Sequence, residues 1–393
     1  MEKKDKNLNV PNLRFPEFSG EWERFRNCTL FKVISEKNKN YEFFTVLSAS
    51  QTEGMVLRDS LGIDIKFEED SIKTYKIVRN GDYVAHLRSF QGGFAFSDKT
   101  GVCSPAYTIL RPSETISYGF LKPYFMSRKF IDSLRIVTYG IRDGKSISVE
   151  EWLKLYTCIP KKNEQQKISK FLRLIDNRIE TQKKIIEKYE SLIRGLITDV
   201  NSGRIAQCKS VYLRDLLTEQ HEKNTNNYEV CSVSVSQGVI NQIDYLGRSF
   251  AAKEVLHYNV VNCGDIVYTK SPTGEFPYGI VKRSDITKPI AVSPLYGVYH
   301  PINDYVGRYL HLYFKNPINA KNYLHKLVQK GAKNTINITN QHFLDNKILI
   351  PEKGWQDKIV TFATAIEMKI ATENKVLQTL QQQKDYLLSK MFI

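Results

Sequence analysis

The sequence predicts an α+β protein built twice, with two similar α+β domains separated by an antiparallel coiled coil of two long helices in pseudo-two-fold arrangement. Three observations carry this reading. Short landmarks recur in the same order at nearly constant spacing, the sequence signature of an internal repeat. Each repeat opens with β-branched and aromatic runs broken by Gly, Asn, Asp and Ser, and each closes with a long stretch of apolar residues stepping by three and four. The expected boundaries are an N-terminal tail at 1–21, a first domain at 22–160, a first spacer helix at 161–202, a second domain at 203–351 and a second spacer helix at 352–393.

The landmarks run in order through both copies. Asn40-Tyr41-Glu42 is matched by Asn227-Tyr228-Glu229, Gly81-Asp82-Tyr83-Val84 by Gly264-Asp265-Ile266-Val267, and Ser104-Pro105 by Ser293-Pro294. Gly140 with Ile147 is matched by Gly331 with Ile338, and Ile159-Pro160 by Ile350-Pro351. Strands are predicted at Tyr41 to Leu47, Tyr75 to Val78, Tyr83 to Leu87 and Tyr107 to Leu110, then at Ile266 to Thr269, Gly279 to Val281 and Val298 to His300. A helix is predicted after each Ser-Pro strand, around Tyr118 to Leu134 and Tyr305 to Leu327. Ser148-Val149-Glu150-Glu151 has the spacing of a capping box, and Thr339 is an N-cap candidate in the second copy.

The long helices show the same register twice. Ile168, Leu172, Ile175, Ile179, Gln182, Ile186, Tyr189, Ile193 and Leu196 form one stripe. Ile359, Ala363, Ile366, Ile370, Glu373, Leu377, Leu380, Lys384 and Leu387 form the other. A narrow stripe sustained this long is a coiled-coil seam. Gln182 and Glu373 both hold the fifth position, and a single polar layer of this kind sets register; Gln182 is expected to donate a hydrogen bond to Glu373.

Composition and missing motifs narrow the chemistry. Lys and Arg number 57 against 42 Asp and Glu, a net charge of +15, which favours a polyanionic partner. No apolar run is long enough for a membrane span, and Met1 to Phe18 lacks the apolar core of a secretory signal. The six cysteines are scattered singly, so a reducing, cytoplasmic setting is expected. No phosphate loop, dinucleotide fingerprint or paired zinc-ligand pattern occurs. Asn316-Pro317-Ile318-Asn319 reads as a turn within a helical segment, and Glu373-Asn374-Lys375 as a solvated pair on the coil.

Polar, basic loops at matching places remain. One carries Arg88, Ser89 and Gln91, and its counterpart carries Lys270, Ser271 and Thr273. A second carries Arg142 and Lys145, matched by Lys330, Lys333 and Asn334, and a third carries Gln237 and Asn241. Arg and Lys suit guanine edges and phosphates, and Asn and Gln suit adenine edges. As a set they argue for a reader of double-stranded DNA with two sites. A 36-residue helix would span ~54 Å, room for half-sites about one DNA turn apart.

This organisation resembles the specificity subunit of type I restriction–modification systems. The resemblance runs from about Trp22 to the C-terminus. It rests on the two Ile-Pro junctions, the helix starts Glu164-Gln165-Gln166-Lys167-Ile168 and Trp355-Gln356-Asp357-Lys358-Ile359, and the opening Leu13-Arg14-Phe15-Pro16-Glu17-Phe18 with Trp22. Trp355 in place of Glu164 is its one departure, at a potential docking surface. The resemblance implies two target recognition domains, each reading half of a split DNA sequence. It implies spacer helices that dock two adenine-N6 methyltransferase subunits, with translocase/endonuclease subunits in the full complex. S-adenosylmethionine, ATP and Mg²⁺ would belong to those partners, leaving this chain non-catalytic. Two other classes stay open: a self-contained DNA-modifying enzyme, and a coiled-coil scaffold that binds RNA or protein.

Overall fold

The computed structural model describes residues 9–50, 53–61, 69–86, 93–139, 146–243, 255–330 and 336–393. It is a mixed α+β fold that divides into two units. The first comprises Met1–Lys183 with Lys375–Ile393, and the second Lys184–Asn374. The division therefore falls within the long helices Lys162–Asn201 and Lys353–Met391, and each unit holds part of both.

In the first unit a four-stranded antiparallel sheet runs in the order Phe31–Ile34, Thr108–Pro112, Tyr83–His86, Gly93–Phe96. In the second unit the same order is taken by Leu217–Glu219, Gly297–Pro301, Ile266–Thr269 and Ile280–Arg283. The smaller pairs also correspond. Glu23–Arg26 pairs with Tyr156–Ile159, and Cys208–Tyr212 with Lys347–Pro351, which tethers each domain's first strand to the strand leading into its long helix.

The repeated Gly-Asp landmark is a turn device. Gly81 and Gly264 have φ of 97° and 95°, a region that favours glycine. The next carboxylate closes the turn, Asp82 accepting from Arg79 N at 2.9 Å and Asp265 from Asn262 N at 2.8 Å. A cationic or imidazole side chain on the neighbouring strand covers each acid, Arg111 in two hydrogen bonds of 2.9 Å and His300 at 2.8 Å.

Tyr41 to Leu47 is not a strand; Tyr41 has φ 52°, and regular pairing begins at Leu47. The buried Asn38 organises this loop, its Oδ1 accepting from Phe43 N and its Nδ2 donating to Phe43 O. Asn224 makes the same pair of bonds with Tyr228, with Asn227 at φ 56°. The equivalent residues are thus Asn38 and Asn224, and the two Asn-Tyr-Glu triplets match in letters but not in position. The helix predicted over Tyr118 to Leu134 is instead two short helices, Lys122–Phe125 and Arg128–Ser133, and a 3₁₀ turn. Ser127 restarts it, its hydroxyl accepting from Phe130 N at 3.2 Å. In the second unit the break is at Asn316, which caps Pro317–His325 in the Asn-Pro turn expected there.

Both predicted N-caps form, Ser148 accepting from Glu151 N and Thr339 from His342 N. The reciprocal half of the capping box does not. Ser148 N donates to Val137 O, and the Glu151 carboxylate accepts from the Tyr139 hydroxyl.

All eighteen seam positions are buried or half-buried. In the first unit the start of one helix meets the end of the other: Ile168 and Leu172 share a core with Leu388, Met391 and Phe392, and Lys384 pairs with Asp176 at 2.6 Å. In the second unit the order is reversed, Ile193, Ile197 and Val200 packing with Ile359, Ala363 and Ile366. The pairing is antiparallel in both. Gln182 is buried in the first unit; Glu373 lies in the second, paired with Lys369 at 2.9 Å.

The N-terminal segment is a strap rather than a free tail over its described part. Arg14 grips the buried Glu164 through two bonds of 2.7 Å, and Trp22 Nε1 donates to the same carboxylate at 3.2 Å. Phe15 meets Phe171 edge to face at 5.7 Å, and Leu13 N donates to Lys390 O at 2.9 Å. This accounts for the Glu164-to-Trp355 departure, since residue 164 serves a segment of the first unit.

Candidate nucleic-acid interface

The polar loops singled out in the sequence connect strands that pair antiparallel. In the first unit one such loop joins Tyr83–His86 to Gly93–Phe96, and another joins Thr138–Tyr139 to Ser146–Ile147. Arg88, Ser89, Gln91, Arg142 and Lys145 lie outside the described residues. The stem of the first is buried: His86 is inside, which pushes its imidazole pKa down, and Phe94 is in the core.

The matching tip in the second unit, between Ile266–Thr269 and Ile280–Arg283, is described throughout. Thr273 and Phe276 exchange backbone hydrogen bonds of 3.1 and 2.9 Å, closing a turn with Gly274 at φ 50°. Phe276 is buried and anchors the loop from below. Ser271 and Thr273 are exposed at the tip, and Lys270 is half-buried. Burial lowers the Lys270 pKa, while the nearby Glu219 opposes that shift. Gly279 returns the chain at φ 103°, where an added Cβ would lie 2.0 Å from Thr269 O.

Lys330 belongs to the two-residue strand Gln329–Lys330, paired with Ile336–Asn337. Lys333 and Asn334, between these strands in the sequence, lie outside the described residues. The segment from Ser234 to Asn241 is not a loop throughout, because Cys231–Ser234 pairs with Gly238–Asn241. Gln237 is exposed at that turn, next to Gly238 at φ 74°. Asn241 ends the strand, and its Oδ1 accepts from Ile243 N at 2.8 Å. Part of its polar capacity is therefore spent on the backbone.

Sequence reasoning missed a basic groove in the first unit. A cavity of about 620 Å³ lies between the turn carrying Tyr118 and Lys122 and one face of the first long helix. Lys162, Gln166, Ser169, Lys170, Arg173 and Asp176 line the helical side. The signal was the spacing of Lys162, Lys170 and Arg173, which puts them on one helix face away from the seam. Among the described residues no cluster of three or more His, Cys, Asp or Glu could hold a metal, and no helix is long and apolar enough to cross a membrane.

Neither a family model nor a curated relative matches the chain. Solved structures do. The S subunit of a type I restriction–modification system from M. genitalium aligns over 98% of this chain and 99% of its own, at 13% identity and a TM-score of 0.55. A structure described by the complex assembly and conformational transition of the type I R-M system aligns over 94% and 97%, at 12% identity and a TM-score of 0.53. The chain is similar in fold to these proteins along nearly its whole length.

Proposed function

We propose that this chain is the DNA sequence-specificity subunit of a type I restriction–modification complex. Its two units are pseudo-two-fold counterparts, each reading one half of a split duplex target through hairpin tips. Arg88, Ser89, Gln91, Arg142 and Lys145 serve one half, and Gln237, Asn241, Lys270, Ser271, Thr273, Lys330, Lys333 and Asn334 the other. The long helices dock two methyltransferase subunits, with Gln182 and Glu373 setting register, and restriction subunits join the full complex. S-adenosylmethionine, ATP and Mg²⁺ act on those partners.

One observation carries the reading: near-complete coverage by the S-subunit fold coincides with a repeated sheet whose matching strands are joined by sequence segments rich in cationic and amide residues. Backbone contacts from such cations position a protein on DNA, and base-edge contacts specify sequence. The test is adenine methylation of plasmid DNA by the purified chain, alone and with two methyltransferase subunits plus S-adenosylmethionine. The expected result is methylation of one bipartite sequence only when the methyltransferase is present. Methylation or cleavage by the chain alone identifies a self-contained enzyme instead. Binding restricted to single-stranded RNA identifies a scaffold.

A further inference from the structure

The groove of the first unit differs from its counterpart in the second, and the difference is chemical. Equivalence is fixed by shared hydrogen bonds. Gln165 Nε2 donates to Pro160 O at 2.8 Å as Gln356 Nε2 does to Pro351 O at 2.7 Å, which aligns Lys170 with Thr361, Arg173 with Thr364 and Asp176 with Glu367. Ser97 N donates to Asp82 O as Ser284 N does to Asp265 O, which aligns Phe96 with Arg283 and Asp98 with Asp285.

In the second unit this position is filled and its charges are paired. Side chains of the helix Asp304–Lys315 occupy it, leaving a space of about 20 Å³. Arg283 pairs with Asp285 and Asp304, Arg308 with Asp304 at 2.8 Å, and Lys315 with Glu367 at 3.0 Å. In the first unit the position is open and its cations have no ion-pair partner among the described residues. Lys122, Lys162, Lys170 and Arg173 face about 620 Å³, and none of the four has an acidic partner among the described residues. Both acids in the lining are taken up by other lysines, Asp98 by Lys99 at 2.8 Å and Asp176 by Lys384 at 2.6 Å. Four cations without an ion-pair partner among the described residues converge on one concave surface, Lys122 also lying over the Phe96 ring.

Tyr118 forms one wall. Its ring stands edge-on to Phe96 at 5.1 Å, and its hydroxyl donates to Asn80 at 2.6 Å, so an exposed aromatic face is held beside the cations. Cations that can approach several oxygens at once, next to an aromatic face, suit a nucleotide phosphate better than an isolated carboxylate.

We propose that this groove binds phosphate groups of a nucleotide, with Lys162, Lys170 and Arg173 on the long helix and Lys122 opposite as the phosphate contacts. The phosphates belong to the backbone of duplex DNA or to a free nucleoside triphosphate. The first source deepens the DNA-reading proposal; the second is independent of it.

The test compares the full-length chain with the double variant K170T/R173T, which carries the residues that the second repeat holds at the same helix positions. A second variant, K122Q/K162Q, removes the other two charges without altering helix propensity at the first pair. Thermal unfolding verifies that the variants fold. Binding of a labelled duplex is measured against salt, and binding of labelled ATP without Mg²⁺ is measured in parallel. If the backbone is the ligand, each double variant binds every duplex more weakly, specific or not, and its salt slope falls by about 2. If a free nucleotide is the ligand, ATP binds the wild type and is lost in the variants while duplex binding is unchanged. Wild-type and variant chains that are indistinguishable in both measurements overturn the groove. A wild type that binds ATP through the groove but no duplex leaves the groove standing and overturns the DNA-reading proposal.

Discussion

At Gly279 a single backbone angle decides whether the loop carrying Lys270, Ser271 and Thr273 can form. An alanine there would need φ near 103° and would set its Cβ against Thr269 O. Strain of this kind costs of order 1–3 kcal/mol, and relief would move Lys270, Ser271 and Thr273. Gly279→Ala is expected to weaken binding to one half of the DNA target in a gel-shift assay, with the other half unaffected. Lys282 supplies a second case. It is buried beside Lys315 and Glu367, near His311, and burial lowers its pKa to about 8 from an ordinary value of 10.5. The unfolded chain therefore holds this proton more tightly, so stability rises with pH between about 8 and 10.5. The burial cost at pH 7 is about 3 kcal/mol at most, at roughly 1.4 kcal/mol per unit. Lys282→Met should raise the chemical-denaturation midpoint at pH 7 and remove that pH dependence; an unchanged midpoint and slope would count against a strained lysine. Glu164 works in the opposite direction. It is buried and bridges Arg14 and Trp22. Breaking a buried pair costs roughly 3–5 kcal/mol, so Glu164→Gln should lower the unfolding midpoint and speed tryptic cleavage after Arg14. Cleavage at the wild-type rate would mean the strap does not depend on this carboxylate.

Elements were legible in the sequence where periodicity alone determines them. The seam of the long helices was read residue by residue, because each apolar side chain three or four places on returns to the same face. Ile266–Thr269 was also read to the residue, as a fully buried run between Gly-Asp and a polar loop. Tyr41 to Leu47 was misread because aromatic and β-branched composition is a propensity, and the buried Asn38 just before the run overrode it through two side-chain bonds to Phe43. The one-residue difference between the Asn38 and Asn224 loops shifted the apparent match of the triplets. Of the basic groove only the helical side, Lys162, Lys170 and Arg173, was legible as a spacing; the opening itself was not, since it depends on a turn and a helix far apart in sequence meeting. The seam itself makes a prediction at this scale. Leu172 is buried against the first core and Ile193 against the second. Replacing either with alanine should destabilise its own unit by about 2–5 kcal/mol. Hydrogen exchange would locate the loss, with protection falling most in the unit that carries the substitution.

At the scale of the whole molecule, the proposed independent reading by two units rests on each one closing its own core. The first core gathers Trp22, Phe120, Phe125 and Trp152 with Ile168, Leu172 and Phe392, and the second gathers Tyr268, Tyr299, Tyr309 and Phe343 with Ile193 and Ile359. A domain is therefore exchangeable if the replacement keeps the side chains that meet the helices. Trp22, Phe120 and Tyr124, which pack on Phe392 at 6.3, 5.6 and 5.2 Å, are among the critical ones in residues 22–160. An exchange of this segment that retains aromatics there should fold and still support methylation with the same partner subunits. Mapping the methylated adenines should then show one half of the target changed and the other half, with the spacing between them, preserved. The spacing is expected to persist because the paired helices are untouched, and a 40-residue helix is a stiff element of ~60 Å. A change in both halves would mean that the two sets of hairpin tips do not read separately, and a change in spacing alone would mean that the domains, rather than the helices, measure the gap.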